Sequence, residues 1–580
     1  MLAHWTLYTA AGCRCRVYLR LTLHQSLFMK KLLPFLLSAF SLGAHAQTTP
    51  AWTWANSLGT AALNNAGSMT TDAAGNTYMA GGFSQPLTLA PGTVLTSAAG
   101  QDGFLAKYDP SGALLWYRQL AGSSNDGFQK VVIDGTGKVT LVGMSSDGAQ
   151  LGGTTFSSNG FGPVAVLTQL DAQGTVLSMR EVGSGSFLIV SDLAVDAGGN
   201  SYVSGAFALD ATFGSISLST PVGGTSFAFD QFLVKLSPQG TPLWAQQGGR
   251  AFFAVNGPTQ IFYSALAVEP SGNVYLTWPC NASAAGFGSL PMPAGYGNVD
   301  VVVVKYDPQG TPQWLQRAGS PGLDYAGNTV LDASGRLVVP GLVSGTGTFG
   351  GQTLPGTAGS ATGYIWVLNP ATGSSAWVRG LSGSVGGAYR GVTADAAGNI
   401  YAAGQFSGQG TLGSATLTSA GGLDGLIVSY SAAGNVRWSL QTGGPGDETP
   451  LYVSLDGTNR LAVAGLLAGN GRFGTTSITS QNTSPGNLFV AHLGSVTTAT
   501  RAGQPVAPLA LYPNPAAATE AVTLPALPAG TRLTLTDVLG RTTARPAGTT
   551  LPLAGLAAGT YLVQATAPDG QQWTSRLVVK

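Results

Sequence analysis

The sequence predicts an all-β protein, a seven-bladed β-propeller followed by a small C-terminal β-sandwich of immunoglobulin-like type. Three observations lead to this prediction. One pattern of about 60 residues recurs seven times, its content is short strands bounded by turn residues, and it stops before the last 70 or so residues. A strand-rich repeat of this period is typical of propellers and solenoids.

The first recurring element is Asp-x-x-Gly-Asn-x-Tyr, which places Gly and Asn where a tight hairpin needs a positive φ. It occurs at Asp72, Asp196 and Asp395, with looser versions at Asp134, Glu269, Asp332 and Asp456. They lie 61–63 residues apart, except for one interval of 73. One acid per copy at a hairpin could suggest calcium binding or general-acid chemistry. We interpret these acids instead as turn residues whose carboxylates bond the local backbone.

Two further elements complete each copy. A strand beginning with Asp follows the hairpin, and its clearest examples start at Asp102, Asp230, Asp300 and Asp424. We expect these acids also to bond to the backbone of their blades. A Trp strand comes next, with Trp116, Trp244, Trp314, Trp377 and Trp438, and with Met179 in that place in the second copy. Four strands per copy predict one antiparallel blade, and the Trp residues are expected to pack between neighbouring blades.

The seventh copy lacks a Trp strand, while an additional one, beginning at Trp52 and Trp54, precedes the first copy. We expect this N-terminal strand to complete the last blade and close the ring. Closure removes exposed strand edges, which is how propellers avoid edge-to-edge association.

The N-terminal region predicts export. Lys30 and Lys31 precede an apolar run at 32–42, and Ala44-His45-Ala46 is a suitable cleavage site, so residues 29–46 are interpreted as a signal peptide cleaved after Ala46. The apolar run is shorter than the ~20 residues that span a bilayer. We expect Met29 to be the true start and residues 1–28 to be a mis-annotated extension. The mature protein is then secreted or attached to the cell surface, with no transmembrane segment.

Composition excludes several function classes. Charged residues make up 9% of the chain and the net charge is +1, so the basic stripe of a nucleic-acid partner is missing. Cys280 is the single cysteine after the predicted cleavage site, which rules out an intramolecular disulfide. His492 is the single histidine there, in a strand position held by Lys in other copies, and we expect it to point outward. No catalytic residue is therefore assigned, and an enzyme is the less favoured class.

The propeller is expected to span residues 50–494, a Thr- and Ala-rich linker residues 495–508, and the second module residues 509–580. The second module carries short strand patterns and three motifs. Their residues are Tyr512, Pro513, Asn514, Pro515, Asp537, Gly540, Arg541, Gly559 and Tyr561, and the chain ends at Lys580.

Between Trp52 and Leu493 the repeat resembles the seven-bladed β-propeller (SBBP-like) repeat family of bacterial secreted proteins. The terminal module resembles the type A C-terminal sorting domain of type IX secretion substrates, although Ala and Pro replace many of its usual polar residues. This resemblance implies a bacterium of the Bacteroidota type and a partner in the type IX secretion machinery, which would recognise residues 509–580. It also implies transport across the outer membrane, removal of the domain, and release or surface anchoring.

Residues that break the repeat are the candidates for a site. Asp126, Asp324 and Asp447 follow Trp strands, as does Asn65, and Glu448 adjoins the last of them. They could form an acidic, calcium-binding mouth on one rim, or be solvated turn residues. The fourth copy carries about 11 extra residues around 250–262. Its aromatic residues are candidates for gripping a glycan: Phe252, Phe253, Phe262 and Tyr263.

The predicted function is that of a secreted or cell-surface binding or structural protein that takes a glycan or protein ligand on a propeller rim. A carboxylate-dependent glycan hydrolase or lyase on the same scaffold remains the alternative. A third possibility is that the propeller is part of a surface assembly and binds only protein. A Gly-x-Gly-x-x-Gly match begins at Gly345, but no helix follows it, so no dinucleotide cofactor is expected.

Overall fold

A computed structural model describes residues 49–59, 65–158, 163–220, 229–251, 264–281, 286–383, 386–479, 487–496, 507–528, 530–537, 542–545, 548–566 and 572–580. The predicted signal peptide, most of the linker and the aromatic part of the fourth-copy insertion lie outside these ranges. The chain divides into two compact units, Met1–Gln47 and Thr48–Lys580. Within the described residues the protein is all-β and contains no helix.

Seven four-stranded antiparallel blades follow one another along the chain. The inner strands are Asn65–Thr71, Gly127–Ile133, Phe187–Val195, Ala265–Val268, the pair Tyr325–Ala326 and Val330–Leu331, Gly386–Ala394 and Glu448–Leu455. The second strands are Thr77–Phe83, Val139–Ser145, Ser201–Ala208, Val274–Asn281, Leu337–Ser344, Ile400–Ser407 and Arg460–Leu467. The third strands are Asp102–Tyr108, Val164–Leu170, Phe229–Leu236, Val299–Tyr306, Ala361–Leu368, Asp424–Tyr430 and Asn487–Ser495. The outer strands are Leu114–Ala121, Val176–Gly183, Pro242–Ala251, Pro312–Gly319, Ser375–Gly380, Val436–Thr442 and, for blade 7, Trp52–Leu58.

The middle strands of each blade are covered on both faces. Every residue of Thr77–Phe83, Asp102–Tyr108 and Asp424–Tyr430 is buried. Because neighbouring blades pack against both sides, these strands are near-continuous apolar runs and do not alternate. One core at a junction joins Tyr401 and Ile427 of blade 6 to Val463 and Phe489 of blade 7. The blade junctions are therefore where this fold buries its apolar surface.

The blades form a closed ring. Each inner strand contacts the inner strand of the next blade, and that of blade 7 contacts that of blade 1. Trp52–Leu58 pairs antiparallel with Asn487–Ser495, with Trp54 opposite His492 and Leu58 opposite Leu488. The prediction that the N-terminal strand completes the last blade is confirmed.

A short hairpin or bridge joins the second and third strands of each blade. The hairpin strands are Leu87–Ala90 with Thr93–Leu95, Gln150–Leu151 with Thr154–Thr155, Asp210–Phe213 with Ile216–Ser219, Gly347–Phe349 with Gln352–Leu354, Gln409–Leu412 with Ala415–Thr418, and Asn470–Phe473 with Thr476–Thr479. In blade 4 a single bridge joins Phe287 to Leu290. Several hairpins pair with the end of the preceding outer strand; Leu151 lies opposite Leu120, for example, and Ser382–Gly383 pairs with Gln409–Leu412. The Phe-Gly segments of the repeat are therefore part of the packing between blades.

Most of the recurrent Trp residues link one blade to the next. The indole Nε1 of Trp54 donates a hydrogen bond to Pro110 O at 2.9 Å, and that of Trp244 donates to Pro308 O at 3.1 Å. The expected packing role is confirmed. Blade 2 differs from the prediction. In blade 1, Trp116 lies opposite Lys107, and the equivalent pair in blade 2 is Ser178 opposite Gln169. Ser178, and not Met179, therefore takes the place of the Trp. Arg180 of blade 2 approaches the turn at Gly240, as Trp side chains do in other blades.

The C-terminal module has two sheets around its own core. One contains Ala507–Pro508, Gln572–Val579, Gly559–Thr566, Arg532–Asp537 and Thr542–Arg545, and the other pairs Ala521–Thr523 with Thr550–Pro552. Leu535, Val563, Leu551 and Leu577 are fully or almost fully buried in this core. Facing sheets with a shared apolar interior make a β-sandwich.

Candidate functional site

The repeated hairpin acids bond to their own turns, as expected. In blade 6, Asp395 Oδ1 accepts hydrogen bonds from the backbone N–H of Ala397 and Asn399, both at 2.9 Å. Its Oδ2 accepts from Asn399 Nδ2 at 2.8 Å and from the Tyr401 hydroxyl at 2.9 Å. These four bonds account for the Asp, the Asn and the Tyr of the motif.

Blade 4 uses Glu269 in this position. Burial alone would raise the pKa of its carboxyl, but hydrogen bonds from Tyr275, Asn273 and Lys305 lower that pKa to about 2. The carboxylate therefore stays ionised in a salt bridge with Lys305 Nζ at 3.0 Å. A general acid needs a pKa near the working pH, so Glu269 is unsuited to that role.

The aspartates that open the third strands form a second repeated arrangement. Oδ2 of Asp102 accepts from Ala98 N–H at 3.1 Å and from Gln119 Nε2 at 2.7 Å. Asp424 repeats this with Ala420 N–H and Gln441 Nε2, and Gln247 Nε2 donates to Asp230. Blade 4 replaces the Gln with Arg317, whose guanidinium binds Asp300 in an almost fully buried salt bridge. The backbone role expected for these acids is confirmed, and it includes a side-chain partner that the sequence analysis missed.

Asp126 and Asp324 lie at equivalent places, immediately before the inner strands of blades 2 and 5. Both are fully buried. Asp126 accepts from Ser146 N–H at 2.6 Å and from the hydroxyls of Ser145 and Ser146. Asp324 accepts from Ser320 Oγ at 2.6 Å and from Ser344 N–H at 2.9 Å. Burial raises the pKa of both carboxyls, to about 6 for Asp324, against the opposing effect of these donors.

Blade 7 places Glu448, and not Asp447, at the equivalent position. The N–H of Glu448 donates to Leu423 O at 2.7 Å, as the N–H of Asp126 donates to Gln101 O. Asp447 is half-buried and accepts from Leu423 N–H at 2.8 Å. The Glu448 carboxylate is fully buried, and neither of its oxygens has a hydrogen-bond partner among the described residues. Burial, with the nearby charges of Asp424 and Asp447, raises the pKa of Glu448 to about 7.

The structure does not bring Asp126, Asp324 and Asp447 together, because each belongs to a different blade junction. Across the part of the chain that the structure describes, no three His, Cys, Asp or Glu side chains are grouped closely enough to hold a metal ion. Asn65 opens the inner strand of blade 1, but its side chain lies outside the described part. A spacing signal could have found the correct set, since Asp126, Asp324 and Glu448 each precede a hairpin acid by eight residues.

His492 does not point outward, which corrects the prediction. It is 1% exposed, and its Nε2 lies 2.7 Å from the Thr77 hydroxyl of blade 1. The lysine position that it occupies faces the next blade. Lys235 Nζ, for example, donates to Pro308 O of blade 4 at 3.1 Å. Burial lowers the pKa of His492 to about 4, so the ring is neutral at pH 7. Its burial leaves it inaccessible to a substrate.

The rim aromatics Phe252, Phe253, Phe262 and Tyr263 lie outside the described residues. A shallow depression of about 370 Å³ lies between the turns of blades 5 and 6 and is lined by Arg336, Gly398 and Ala432, among others. Arg336 is already bound there, to Asp332 in a salt bridge of 2.6 Å and to Ala432 O at 2.9 Å. The charge of Arg336 is therefore already paired and is not free to bind a ligand in this depression.

The opening motif of the C-terminal module holds the end of the chain. Asn514 Nδ2 donates to Arg576 O at 2.6 Å, and Asn514 Oδ1 accepts from Val578 N–H at 3.0 Å. Lys580 N–H donates to Ala516 O, just after Pro515 and Pro513, whose peptide bonds are both cis. Tyr512 is 79% exposed. Asp537 lies opposite Tyr561 on strands of one sheet, and Tyr561 is two residues after Gly559. Gly540 and Arg541 lie outside the described residues.

No family model and no curated protein matches the chain. Among solved structures, it is similar to quinohemoprotein alcohol dehydrogenase from Comamonas testosteroni, with 11% identity, a TM-score of 0.34, and coverage of 78% of this chain and 77% of that one. Puromycin hydrolase has 11% identity and a TM-score of 0.37 over 90% of this chain and 62% of its own length. Polysaccharide lyase Uly1 has 8% identity and a TM-score of 0.31 over 77% of this chain and 88% of its own length. These similarities concern the β-propeller type of fold alone.

The described residues contain no helix that is long and apolar enough to cross a bilayer.

Proposed function

We propose that this chain is an exported β-propeller that binds a glycan or protein ligand through one rim, and that residues 509–580 direct its secretion by the type IX machinery. Binding is favoured over catalysis because the acids that precede the inner strands are buried and already hydrogen-bonded. Asp126 and Asp324 are fully buried, and serine and backbone donors hold their carboxylates.

Catalysis on a sugar needs carboxyl groups that reach the substrate. Glycoside hydrolases place two of them on either side of the scissile bond, about 5–10 Å apart, within one accessible cleft. The buried acids of this ring face neighbouring blades. A histidine-assisted nucleophile would require an accessible imidazole, and His492 is buried against Thr77. These placements favour a ligand-binding surface.

The fourth-copy insertion, residues 250–262, is the preferred place for the ligand. Regular copies provide turns and packing, so a ring of this kind acquires specificity where a copy is longer than the others. Phe252, Phe253, Phe262 and Tyr263 offer flat apolar faces, and aromatic rings supply large contact areas with some polar capacity. This part of the proposal rests on the sequence.

The export part of the proposal rests on the predicted signal peptide and on the C-terminal motifs. The terminal module has its own buried core, and Asn514 ties its first segment to its last strand. A receptor can recognise a folded module of this kind as a whole. We propose that the mature protein is then released or anchored at the outer surface.

The binding proposal is tested with the purified chain from residue 47 to residue 580. A glycan array is compared with product assays on the same polysaccharides, for reducing ends and for the unsaturated products of lyases. We expect binding without product, and at least about tenfold weaker binding after residues 252–262 are replaced by a Gly-Ser segment. Replacing residues 221–228 of blade 3 in the same way is the matched control. Product formation by the unaltered chain would identify the alternative, a hydrolase or lyase.

Export is tested separately by fusing residues 509–580 to a signal peptide and a fluorescent reporter in a Bacteroidota host. We expect the reporter outside the cell in a strain with type IX secretion and in the periplasm of a secretion-deficient strain. Equal distribution in the two strains would contradict the assignment of the sorting module.

A further inference from the structure

Leu209 lies at the rim of blade 3 with a backbone conformation that its side chain disfavours. Its φ is 68°, in the left-handed region, and in the part of the chain that the structure describes Asn459 is the one other non-glycine residue with a positive φ. Asparagine tolerates this region because its short amide can bond locally, whereas leucine rarely adopts it. The Leu209 side chain is nevertheless 42% exposed, so burial in a core does not offset the strain.

Other blades show that this backbone position suits glycine. By strand register, three of them have a glycine in the place of Leu209, each with a positive φ: Gly345 at 111°, Gly408 at 82° and Gly469 at 73°. The hydrogen bonds are shared as well. Leu209 N–H donates to Thr220 Oγ1 at 3.0 Å and Leu209 O accepts from Thr220 N–H at 2.9 Å, as Gly408 does with Ser419. The backbone frame is therefore common to several blades, and the leucine is particular to blade 3.

A second exposed apolar side chain lies beside Leu209. Phe187 opens the inner strand of blade 3 opposite the residue that precedes Leu209, and it is 44% exposed. Ser186 Oγ donates to Asp210 Oδ1 at 2.9 Å, so a hydrogen bond fastens the two segments together next to both apolar side chains. We call Phe187, Leu209 and Asp210 the blade 3 patch.

The blade 3 patch also carries a negative charge. Asp210 is exposed, its hydrogen-bond donor Ser186 is neutral, and it takes part in none of the salt bridges of the described structure. Two apolar side chains beside one carboxylate are complementary to an apolar side chain that is next to a basic one. Leu209 has no flat aromatic face on which a sugar ring could stack, so the patch suits a protein better than a glycan.

The patch lies on the rim that carries the fourth-copy insertion. Inner strands begin and outer strands end at this rim, and the insertion at residues 250–262 starts at the end of the outer strand Pro242–Ala251 of the same blade. On the other side of the insertion, Tyr296 and Leu323 are also exposed at this rim, before the third strand of blade 4 and the inner strand of blade 5. Within their described residues, blades 6 and 7 expose no large apolar side chain.

We propose that the blade 3 patch binds a peptide segment of a partner protein, one that presents an apolar side chain next to a lysine or arginine. This inference rests on the proposed function, and it chooses protein over glycan as the ligand of the rim. Backbone strain that the surrounding structure maintains is typical of binding and active sites. Leu209 destabilises the free chain slightly and strengthens the complex by the apolar surface that it buries against the partner.

The chain from residue 47 to residue 580 is used to select binders from a random dodecapeptide phage library. We expect the selected peptides to share Leu, Ile or Phe next to Lys or Arg, and one of them is synthesised for fluorescence anisotropy. Leu209→Gly should weaken its binding by about tenfold. The same variant should leave the melting temperature unchanged or raise it by about 1–2 °C, because glycine fits this backbone without strain. Asp210→Asn keeps the acceptor for Ser186 and should weaken binding about threefold, with loss of most of its salt dependence.

Leu177→Gln is the matched control, because Leu177 is 57% exposed on the outer strand of blade 2, at the opposite end of the blade. It should leave peptide affinity unchanged. Phe187→Gln is a second variant should Leu209→Gly fail to fold, and it should also weaken binding.

A Leu209→Gly protein with a lower melting temperature and unchanged peptide affinity would show that Leu209 only packs the rim, and would overturn the proposal. Failure to select any peptide would overturn it too. Glycan-array binding by the same chain then separates the two proposals, since it would leave the proposed function intact and remove only the choice of a protein ligand.

Discussion

The imidazole of His492 stacks on the indole of Trp54, with ring centroids 4.5 Å apart and planes inclined by 17°. The contact joins the last third strand of the ring to the strand that comes first in the chain. In three other blades the position of His492 holds a lysine that bonds a turn of the next blade. At this one junction an aromatic pair replaces that arrangement.

Trp54→Ala is expected to destabilise the protein by about 3 kcal/mol, since it removes a large packed side chain and the hydrogen bond to Pro110 O. Trp54→Phe, which keeps an aromatic face, should cost less, about 1 kcal/mol. Deleting residues 50–59 should open the ring and lower the melting temperature further than either substitution. An unchanged melting temperature in the deletion would contradict closure by this strand.

The neutral state of His492 predicts a loss of stability in mild acid. Its folded pKa of about 4 lies below the ordinary value of 6.5, so the unfolded chain binds the proton more readily. Stability from this residue is complete above pH 6.5 and falls as the pH drops towards 4, by up to about 3 kcal/mol. Urea unfolding of wild type and His492→Gln between pH 7.5 and 4.5 measures the difference. Parallel pH profiles for the two proteins would refute the prediction.

Glu448 predicts the opposite dependence of stability on pH. Its pKa is raised from 4.5 to about 7, so the folded chain holds the proton more tightly. Stability from this group is complete below pH 4.5 and is lost as the pH rises through about 7, with a difference on the order of 3 kcal/mol. Glu448→Gln should therefore be more stable than wild type at pH 8.5 in urea unfolding. Equal stability of the two at that pH would count against the raised pKa.

The buried salt bridge between Arg317 and Asp300 in blade 4 can be tested by substitution. Other blades show which residue is the suitable control. Arg317→Ala leaves the Asp300 carboxylate without its guanidinium and should cost about 3–5 kcal/mol. Arg317→Gln installs the residue that binds the equivalent Asp in blades 1, 3 and 6, so its cost should be clearly smaller. Chemical denaturation of the two variants and wild type gives the comparison. An equal loss of stability in the two variants would show that Asp300 needs the positive charge and not only a hydrogen-bond donor.

Cys280 should be inert in the folded protein. Burial raises the pKa of its thiol to about 12, so almost no thiolate is present at pH 8. A colorimetric thiol reagent is expected to titrate no cysteine in the native chain from residue 47 onward and one in denaturant. Rapid labelling under native conditions would show that blade 4 opens locally.

The repeat made most of the fold predictable, because hairpin chemistry is local. In the turn of blade 6, for example, Asp395 bonds to Asn399 and Tyr401, both within six residues. The unmatched Trp strand determined how the ring closes. The sequence did not reveal which strand positions are buried. Both faces of a middle strand are covered in a propeller, so apolar and polar residues do not alternate along it. The prediction that His492 points outward was wrong for this reason.

The candidate site was predicted less well, since it depends on register between blades. Asp447 and Glu448 are neighbours in the sequence, and only the pairing of Glu448 with Leu467 shows which of them enters the junction. The partners of the third-strand acids, Gln119 and Arg317, were missed because they lie 17 residues further along the chain, on another strand.

The strand Trp52–Leu58 leaves the ribosome before the other propeller strands but finds its partner last. Thr53 Oγ1 bonds to His492 O across 439 residues, a very distant contact whose formation must await nearly the whole propeller. A chain cut short before Asn487 would carry an unpaired, Trp-bearing edge strand open to unwanted pairing. The ring can therefore close only after synthesis has reached the strand Asn487–Ser495.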